Sequence, residues 1–315
     1  MNELLHFEVN EQLILTRRGG KNKVDPFKPY AYLVEKEYIA SGKVEDTAVI
    51  FLTNRECPFR CLMCDLWKNT TNDIVPVGAI PKQIEWALNH LPPVKHLKLY
   101  NSGSFFDKKA IPEQDYESIA MLVKDFETLV VENHPRLTNE NCLTFRDMIK
   151  PKLQIAMGLE TVHPLVLKKL NKQMKLSDFE KAVRFLNQNS ISSRAFILLR
   201  PPFLSEQEGI FWAEKSLDFA YNRGVECCII IPVRAGNGAL DYLVEKKLFS
   251  PPRIQSLENV MEYGLHLNAG RIFSDLWDIE QLSDCTLCFD QRKKRLEEMN
   301  LNQKIAEEIK CTCKN

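Results

Sequence analysis

From Thr47 onward, the spacing of hydrophobic residues along the chain alternates between two patterns. Short, nearly continuous apolar runs predict buried strands at 47–53, 94–100, 127–132, 153–159, 194–200 and 226–232. The stretches between these runs have apolar residues at helical spacing and predict helices at 80–91, 115–124, 137–149, 164–189 and 206–223. Six βα units predict a parallel sheet with helices on its outside. Because six units are too few to close a (β/α)8 barrel, we expect an α/β fold with an open (β/α)6 partial TIM barrel.

The two ends of the chain do not follow this alternation. Residues 1–45 are polar and mixed, and we interpret them as an N-terminal lead-in that covers one edge of the core. The βα alternation defines a core at 46–240. Residues 241–315 form a C-terminal extension, in which helical stretches at 239–248 and 252–268 lead to a cysteine-bearing tail. We expect this extension to pack on the barrel rather than to form an independent domain.

Composition narrows the class of protein. The chain has 315 residues, of which 44% are hydrophobic, and 42 basic residues balance 42 acidic ones. A formal charge of zero argues against a globally basic nucleic-acid binder, although not against a local patch. No apolar stretch approaches the ~20 residues of a membrane span, and the start of the chain lacks the basic residues of a signal peptide. We therefore expect a cytoplasmic protein with no membrane partner, whose ten cysteines serve metal or redox chemistry.

Three cysteines on one short loop are the strongest chemical signal. Cys57, Cys61 and Cys64 follow the first predicted strand with a C-x3-C-x2-C spacing. A structural zinc site usually has four ligands, and an ordinary [4Fe–4S] cluster also has four thiolates. Three thiolates on one loop instead suit a [4Fe–4S] cluster with one iron left open for chemistry. The alternatives are three buried cysteines at chance spacing, or half of a zinc site.

Polar residues at the ends of neighbouring strands are candidate ligand contacts. Ser102, Gly103 and Ser104 follow the second strand, where a glycine lets the backbone approach a ligand closely, although such a segment is also an ordinary turn. Glu160 ends the fourth strand, where it can accept hydrogen bonds from a ribose diol or act as an acid at a helix N-terminus. Other strand ends carry Glu132, Arg200 and Arg234, and either arginine can pair with an anion or remain solvated.

The C-terminal tail carries a second group of cysteines. Two close pairs, Cys285 with Cys288 and Cys311 with Cys313, predict a further metal site in a reducing compartment. Four thiolates satisfy Zn²⁺, which we favour, or an auxiliary iron–sulfur cluster, and unligated thiols are the third alternative.

The basic run 292–295 between the pairs can contact phosphate or form a solvated helix face, and Arg17, Arg18, Lys21 and Lys23 add a weaker basic group. We interpret Cys142, Cys227 and Cys228 as core residues, and no histidine shows metal-ligand spacing.

The strand, the cysteine loop and the βα alternation together resemble the radical S-adenosylmethionine (radical SAM) superfamily over about residues 45–240. The resemblance implies that the open iron chelates the methionine end of S-adenosylmethionine. It also implies that Ser102–Ser104, in the place of a Gly-Gly-Glu-like segment, hold the cofactor's amino group, and that Glu160 lies near the ribose. Within the superfamily, the segments 98–105, 157–160 and 295–301 resemble the group of the archaeosine-forming enzyme and the Elongator catalytic subunit. The segment 132–135 differs from the Glu-Ser/Thr-Arg-Pro sequence of those relatives. Met63 occupies the position, just before the last cysteine, where many members of the superfamily have an aromatic residue.

The resemblance implies a function. The enzyme would cleave S-adenosylmethionine reductively to a 5′-deoxyadenosyl radical, which abstracts hydrogen from a substrate. Both named relatives act on a base in transfer RNA, so a transfer-RNA nucleobase is the expected substrate. The chemistry requires an electron donor of the flavodoxin or ferredoxin type. The alternatives are radical modification of a small metabolite or peptide, and a non-catalytic iron–sulfur or zinc binding module.

Overall fold

A single curved sheet organises the chain. The computed structural model describes residues 6–283 and 285–311, and within them the sheet has eight strands in the order β1 to β8. The strands are Ala31–Tyr38 (β1), Val44–Leu52 (β2), His96–Asn101 (β3), Thr128–Glu132 (β4), Lys152–Glu160 (β5), Ser192–Leu199 (β6), Cys227–Pro232 (β7) and Arg271–Ser274 (β8). All six predicted strands are present as β2 to β7, and they pair in parallel, which confirms the open α/β barrel.

The two edge strands were not predicted. β1 pairs antiparallel with β2 and lies within the predicted lead-in, and only one of its residues, Glu37, is buried. β8 pairs parallel with β7 and has only four residues, too few for a periodic signal. Both segments extend the sheet beyond the predicted core, and the division at residues 45 and 240 stays a prediction.

Helices cover the outside of the sheet. They are Glu11–Arg17 (α1), Ala79–Leu88 (α2), Tyr116–Val123 (α3), Glu140–Met148 (α4), Pro164–Lys169 (α5), Leu176–Gln188 (α6), Glu206–Tyr221 (α7), Ala239–Glu245 (α8), Ile254–Leu267 (α9) and Phe289–Asn302 (α10). Most of their apolar faces share one core with alternate residues of the strands, such as Leu97, Leu99, Ile155 and Ile197. The helices α1 and α8 belong to a second apolar cluster, together with Leu62 of the cysteine loop. Among the described residues, no helix is long and apolar enough to cross a membrane.

The helix predicted at 164–189 is wrong in its middle. The structure has two helices, α5 and α6, separated by residues 170–175. Asn171 and Gln173 in this connection have φ values of 52° and 57°, which a continuous right-handed helix does not contain. The connection instead brings Lys172 and Asn171 to the carboxyl ends of the strands.

Charged residues fill the amino-terminal half of the barrel interior. Arg194 of β6 makes two hydrogen bonds to Glu37 of β1, at 2.7 and 3.2 Å, and Lys98 of β3 also pairs with Glu37. Arg271 of β8 donates to the carbonyl of Tyr38, at 2.9 Å, and so links the two edges of the sheet. Burial alone would raise the pKa of Glu37, but Arg194 and Lys98 hold it well below its usual range. These ion pairs form a floor to the barrel, and the cysteine loop lies at the opposite end.

Candidate functional site

The cysteine loop begins at the carboxyl end of β2. Cys57, Cys61 and Cys64 are half-buried and form no disulfide. Burial raises the pKa of the Cys57 thiol to about 11 and of the other two to about 12. Because a metal binds the thiolate, loading this loop must release protons.

Two distant segments hold the backbone of this loop. The side chain of Asn237, after β7, donates to the carbonyl of Leu62 at 2.7 Å and to that of Cys64 at 3.3 Å. The side chain of Asn171 donates to the carbonyl of Arg60 at 2.8 Å. Asn237 is itself buried. Neither asparagine was predicted from the sequence. Two glycines, Gly236 and Gly238, flank Asn237, and they are the sequence signal that marks this loop as unusual.

The N-terminal lead-in contacts the loop through Glu56, the residue before the first cysteine. Arg18 and Lys21 pair with its carboxylate at 2.7 and 2.8 Å, and Arg60 pairs with it at 3.0 Å. Two members of the predicted N-terminal basic group are therefore committed to the cysteine loop. Burial alone would raise the pKa of Glu56, but these cations lower it.

Ser102, Gly103 and Ser104 lie beside the cysteine loop, as their place after β3 predicts. A Cβ atom added to Gly103 would lie 3.7 Å from the Cβ of Cys57 and 3.5 Å from the side-chain amide of Asn54. Ser104 accepts a hydrogen bond from the backbone N–H of His134 at 3.0 Å. The structure therefore places Gly103 next to the first cysteine, with room for little more than one additional atom between them.

Unpaired polar atoms lie at the carboxyl ends of the neighbouring strands. Asn54, Asn101 and Asn133 follow or end β2, β3 and β4 respectively, and all are almost fully buried. The Oδ1 atoms of all three, and the Nδ2 atom of Asn101, have no hydrogen-bond partner among the described residues. Each unpaired buried polar group costs about 1–3 kcal/mol, so such groups call for a ligand or a water. Donors and acceptors together suit a ligand with amine and carboxylate groups, such as the methionine end of S-adenosylmethionine.

Glu160 lies inside the barrel mouth, paired with a residue that the prediction missed. Its carboxylate accepts from Lys172 at 2.6 Å, and both side chains are buried. A methyl group at Gly158 would collide with both side chains, so this glycine makes room for the pair. Burial alone would lower the pKa of Lys172, but the Glu160 carboxylate raises it above its usual value. No sequence motif marks Lys172, because the break between α5 and α6 that carries it contains neither glycine nor proline.

The other predicted strand-end residues are also engaged with the protein. Glu132 accepts from the backbone N–H of Asn101 at 3.1 Å, and burial raises the pKa of its carboxyl to about 8. Arg200 pairs with Glu206 at 2.6 Å. Arg234 pairs through Nη1 with Asp275, at 2.9 Å, while its Nε and Nη2 atoms have no partner among the described residues.

The C-terminal cysteines come together as predicted, as far as the structure describes them. The sulfur atoms of Cys285, Cys288 and Cys311 all lie within 4.8 Å of one another, and those of Cys285 and Cys311 are 3.8 Å apart. Cys313, the fourth predicted ligand, lies outside the described residues. These cysteines can hold one metal ion together with a further ligand.

The basic run at 292–295 is divided between two environments. Arg292 and Arg295 are buried and pair with Glu258 of α9, and Arg295 also donates to the carbonyl of Glu307 at 2.7 Å. Lys293 and Lys294 are solvent-exposed or partly exposed. The two arginines therefore fix the tail that carries Cys311 and leave no four-residue basic surface.

Sequence comparison finds relatives that share most of the chain. No family model matches it. An uncharacterised protein of Methanocaldococcus jannaschii is 23% identical over an alignment 342 residues long, which covers 100% of this chain and 93% of that protein. Archaeosine synthase subunit beta of Methanosarcina acetivorans is 25% identical over 269 residues, which cover 80% of this chain and 77% of that one.

Solved structures share the fold. Streptococcus suis SuiB bound to S-adenosylmethionine superposes with a TM-score of 0.51 and 12% identity, over 72% of this chain. An N-terminally truncated Elp3 of Methanocaldococcus infernus superposes with a TM-score of 0.52 and 14% identity, over 80% of this chain. The chain spans about half of the SuiB chain, 51%, and 63% of the Elp3 chain. The protein therefore has the fold of radical SAM enzymes and is similar in sequence to archaeosine synthase subunit beta, which confirms the resemblance read from its motifs.

Proposed function

We propose that this chain is a radical SAM enzyme whose catalytic centre lies at the carboxyl ends of β2 to β5. The observation that carries the proposal is that Gly103 lies next to Cys57 and to Asn101, whose buried side-chain amide has no partner among the described residues. A cysteine loop with no ligand function would not require these unpaired donors and acceptors. Cys57, Cys61 and Cys64 would hold a [4Fe–4S] cluster, and Ser102–Ser104 would line the methionine end of S-adenosylmethionine.

The chain's own residues would bind and orient the cofactors. When bound and reduced, the cluster supplies the electron that cleaves a carbon–sulfur bond of S-adenosylmethionine, giving methionine and a 5′-deoxyadenosyl radical. Asn101 would bind polar groups of the methionine moiety, since its unpaired Nδ2 atom lies beside Gly103, and Asn54 would add its unpaired Oδ1 atom. Glu160 would accept hydrogen bonds from the ribose with the carboxylate oxygen that Lys172 leaves free. The ion-paired floor of the barrel closes the opposite end of the interior.

The C-terminal cysteines would hold Zn²⁺ rather than an auxiliary cluster. Tetrahedral zinc with Zn–S bonds of about 2.3 Å separates its sulfur ligands by about 3.8 Å. The distance between Cys285 and Cys311 is 3.8 Å, which fits ligands of one ion. In a [4Fe–4S] cluster each thiolate binds a different iron, which requires a wider arrangement. Cys313 would be the fourth ligand.

A transfer-RNA nucleobase is the substrate we propose. The support is the similarity to archaeosine synthase subunit beta over 80% of this chain and the shared fold with Elp3. The reaction would take place in the cytoplasm, with a flavodoxin or ferredoxin as electron donor. The buried pairing of Arg292 and Arg295 means that phosphate contacts would have to come from other residues.

Mass spectrometry of nucleosides tests this function. Transfer RNA from a strain that lacks the protein should lose one modified nucleoside or accumulate its precursor. Wild-type protein should restore it, and the Cys57→Ala/Cys61→Ala/Cys64→Ala variant should not. An unchanged nucleoside profile would refute the transfer-RNA substrate. Restoration by the triple variant would refute the radical mechanism.

A further inference from the structure

The imidazole ring of His134 lies where three parts of the candidate site meet. His134 follows β4 and is buried. Its ring stacks on Phe59 of the cysteine loop, with centroids 3.8 Å apart and planes inclined by 15°. Its backbone N–H donates to Ser104 at 3.0 Å, and its Nε2 atom is 3.0 Å from the carbonyl of Lys172. His134 therefore contacts the cysteine loop, the loop 102–104 and the connection between α5 and α6 that carries Lys172, the partner of Glu160.

The partners of the ring determine its tautomer. Nδ1 lies 3.2 Å from the backbone N–H of Arg136, which can only donate, so Nδ1 accepts. Nε2 lies against a backbone carbonyl, which can only accept, so Nε2 carries the proton and donates to Lys172. Both ring nitrogens and one ring face are therefore used. A side chain of similar size without this pattern would leave a buried backbone group unpaired.

We propose that His134 is a positioning residue that holds the cysteine loop, Ser104 and Lys172 in the arrangement that binds the cluster and S-adenosylmethionine. This inference rests on the proposed function. Phe59 is two residues from both Cys57 and Cys61, so the stacked ring limits the movement of the span between these ligands. The bond to the Lys172 carbonyl holds the connection between α5 and α6, from which the lysine side chain reaches Glu160.

His96 provides a matched control. It is also a buried histidine with both ring nitrogens engaged, Nδ1 with Thr128 at 2.8 Å and Nε2 with Glu45 at 2.9 Å. It begins β3, so it lies at the amino end of the strands, away from the cysteine loop. Replacing either histidine removes comparable packing and hydrogen bonds. Only His134 should affect the cofactors.

The experiment compares His134→Gln and His96→Gln with the wild-type full chain. Three properties are measured: thermal unfolding without iron, retention of iron in the presence of an iron chelator, and the affinity of the iron-loaded chain for S-adenosylmethionine. Both variants should lower the unfolding temperature to a similar extent. Only His134→Gln should lose iron faster, and it should bind S-adenosylmethionine about threefold to tenfold more weakly, because the ring that stacks on Phe59 is lost while glutamine can still donate to the Lys172 carbonyl. A His134→Phe variant retains the stacking but leaves that carbonyl unpaired, so it should also bind the cofactor more weakly than wild type, and it serves if His134→Gln does not fold.

The outcomes separate this inference from the proposed function. Iron retention and cofactor affinity equal to those of His96→Gln would overturn the positioning role of His134. A wild-type chain that takes up no iron, or that binds no S-adenosylmethionine, would overturn the proposed function itself. Loss of iron by both histidine variants to the same extent would also overturn the inference, because it would indicate a general loss of stability.

Discussion

Replacing Lys172 by methionine should destabilise the chain strongly even without cofactors. The Nζ atom of Lys172 is 2.6 Å from Oε1 of Glu160, and the two side chains are only 10% and 7% exposed. Methionine keeps the length of the side chain but removes its charge. The Glu160 carboxylate would then remain buried without a cation.

The expected magnitude follows from this burial. Removing one partner of a buried ion pair costs about 3–5 kcal/mol, because the other charge stays desolvated and unpaired. Removing both charges, in Lys172→Met/Glu160→Gln, should restore part of this loss, since no buried charge remains. We expect the double variant to be more stable than Lys172→Met by about 2 kcal/mol or more.

Urea unfolding of the iron-free, reduced chain at pH 7.5 measures these differences. Fluorescence and circular dichroism transitions must coincide for the free energies to be valid. Lys95→Met is the control, because Lys95 is 62% exposed and pairs with Glu127 at 3.4 Å, so its loss should cost at most about 1 kcal/mol. A loss below about 1 kcal/mol for Lys172→Met, or a double variant less stable than the single one, would show that Glu160 is not left as a buried, unpaired charge.

Three further predictions concern single positions. Gly103→Val should lower the affinity of the iron-loaded protein for S-adenosylmethionine at least about tenfold. The stability of the iron-free variant should change little, because a Cβ atom at this position meets no atom closer than 3.5 Å. Unchanged affinity in calorimetry would place the cofactor elsewhere. The Cys57/Cys61/Cys64 alanine variant should bind about one zinc per chain, and adding Cys288→Ser should remove it. In the alanine variant itself, roughly four irons per chain instead of zinc would favour an auxiliary cluster, and no metal would exclude both. Burial raises the pKa of Glu132 from 4.5 to about 8, so the folded state holds a proton that the unfolded state releases, and stability should fall as the pH rises through this window. Glu132→Gln should remove that part of the pH dependence in urea unfolding, and an identical pH profile would contradict the shift.

The sequence predicted the parts of the fold that leave a periodic signal. Strands buried on both faces are nearly continuous apolar runs, so β2 to β7 could be found, together with their parallel arrangement. β1 could not, because it lies at an edge and presents charged residues such as Glu35 and Lys36. The break between α5 and α6 was missed because residues 170–175 contain neither glycine nor proline.

The candidate site was predictable only where residues lie close in sequence. The C-x3-C-x2-C loop and the segment 102–104 are local motifs, and the rule that ligands bind at carboxyl ends of strands places them together. Lys172, Asn237 and His134 contact the site through the fold, from segments whose sequences did not assign these residues a role. Burial and hydrogen-bond partners identify them, and neither is visible in a single sequence.

Formation of 5′-deoxyadenosine tests the central claim most directly. Wild-type chain and the Cys57→Ala/Cys61→Ala/Cys64→Ala variant are loaded with iron and sulfide without oxygen, then mixed with S-adenosylmethionine and dithionite. We expect roughly four irons per chain at this site, and 5′-deoxyadenosine from the wild type. The variant should lose these irons and form no product. Product from the variant, or none from an iron-loaded wild type, would rule out Cys57, Cys61 and Cys64 as the site of radical chemistry.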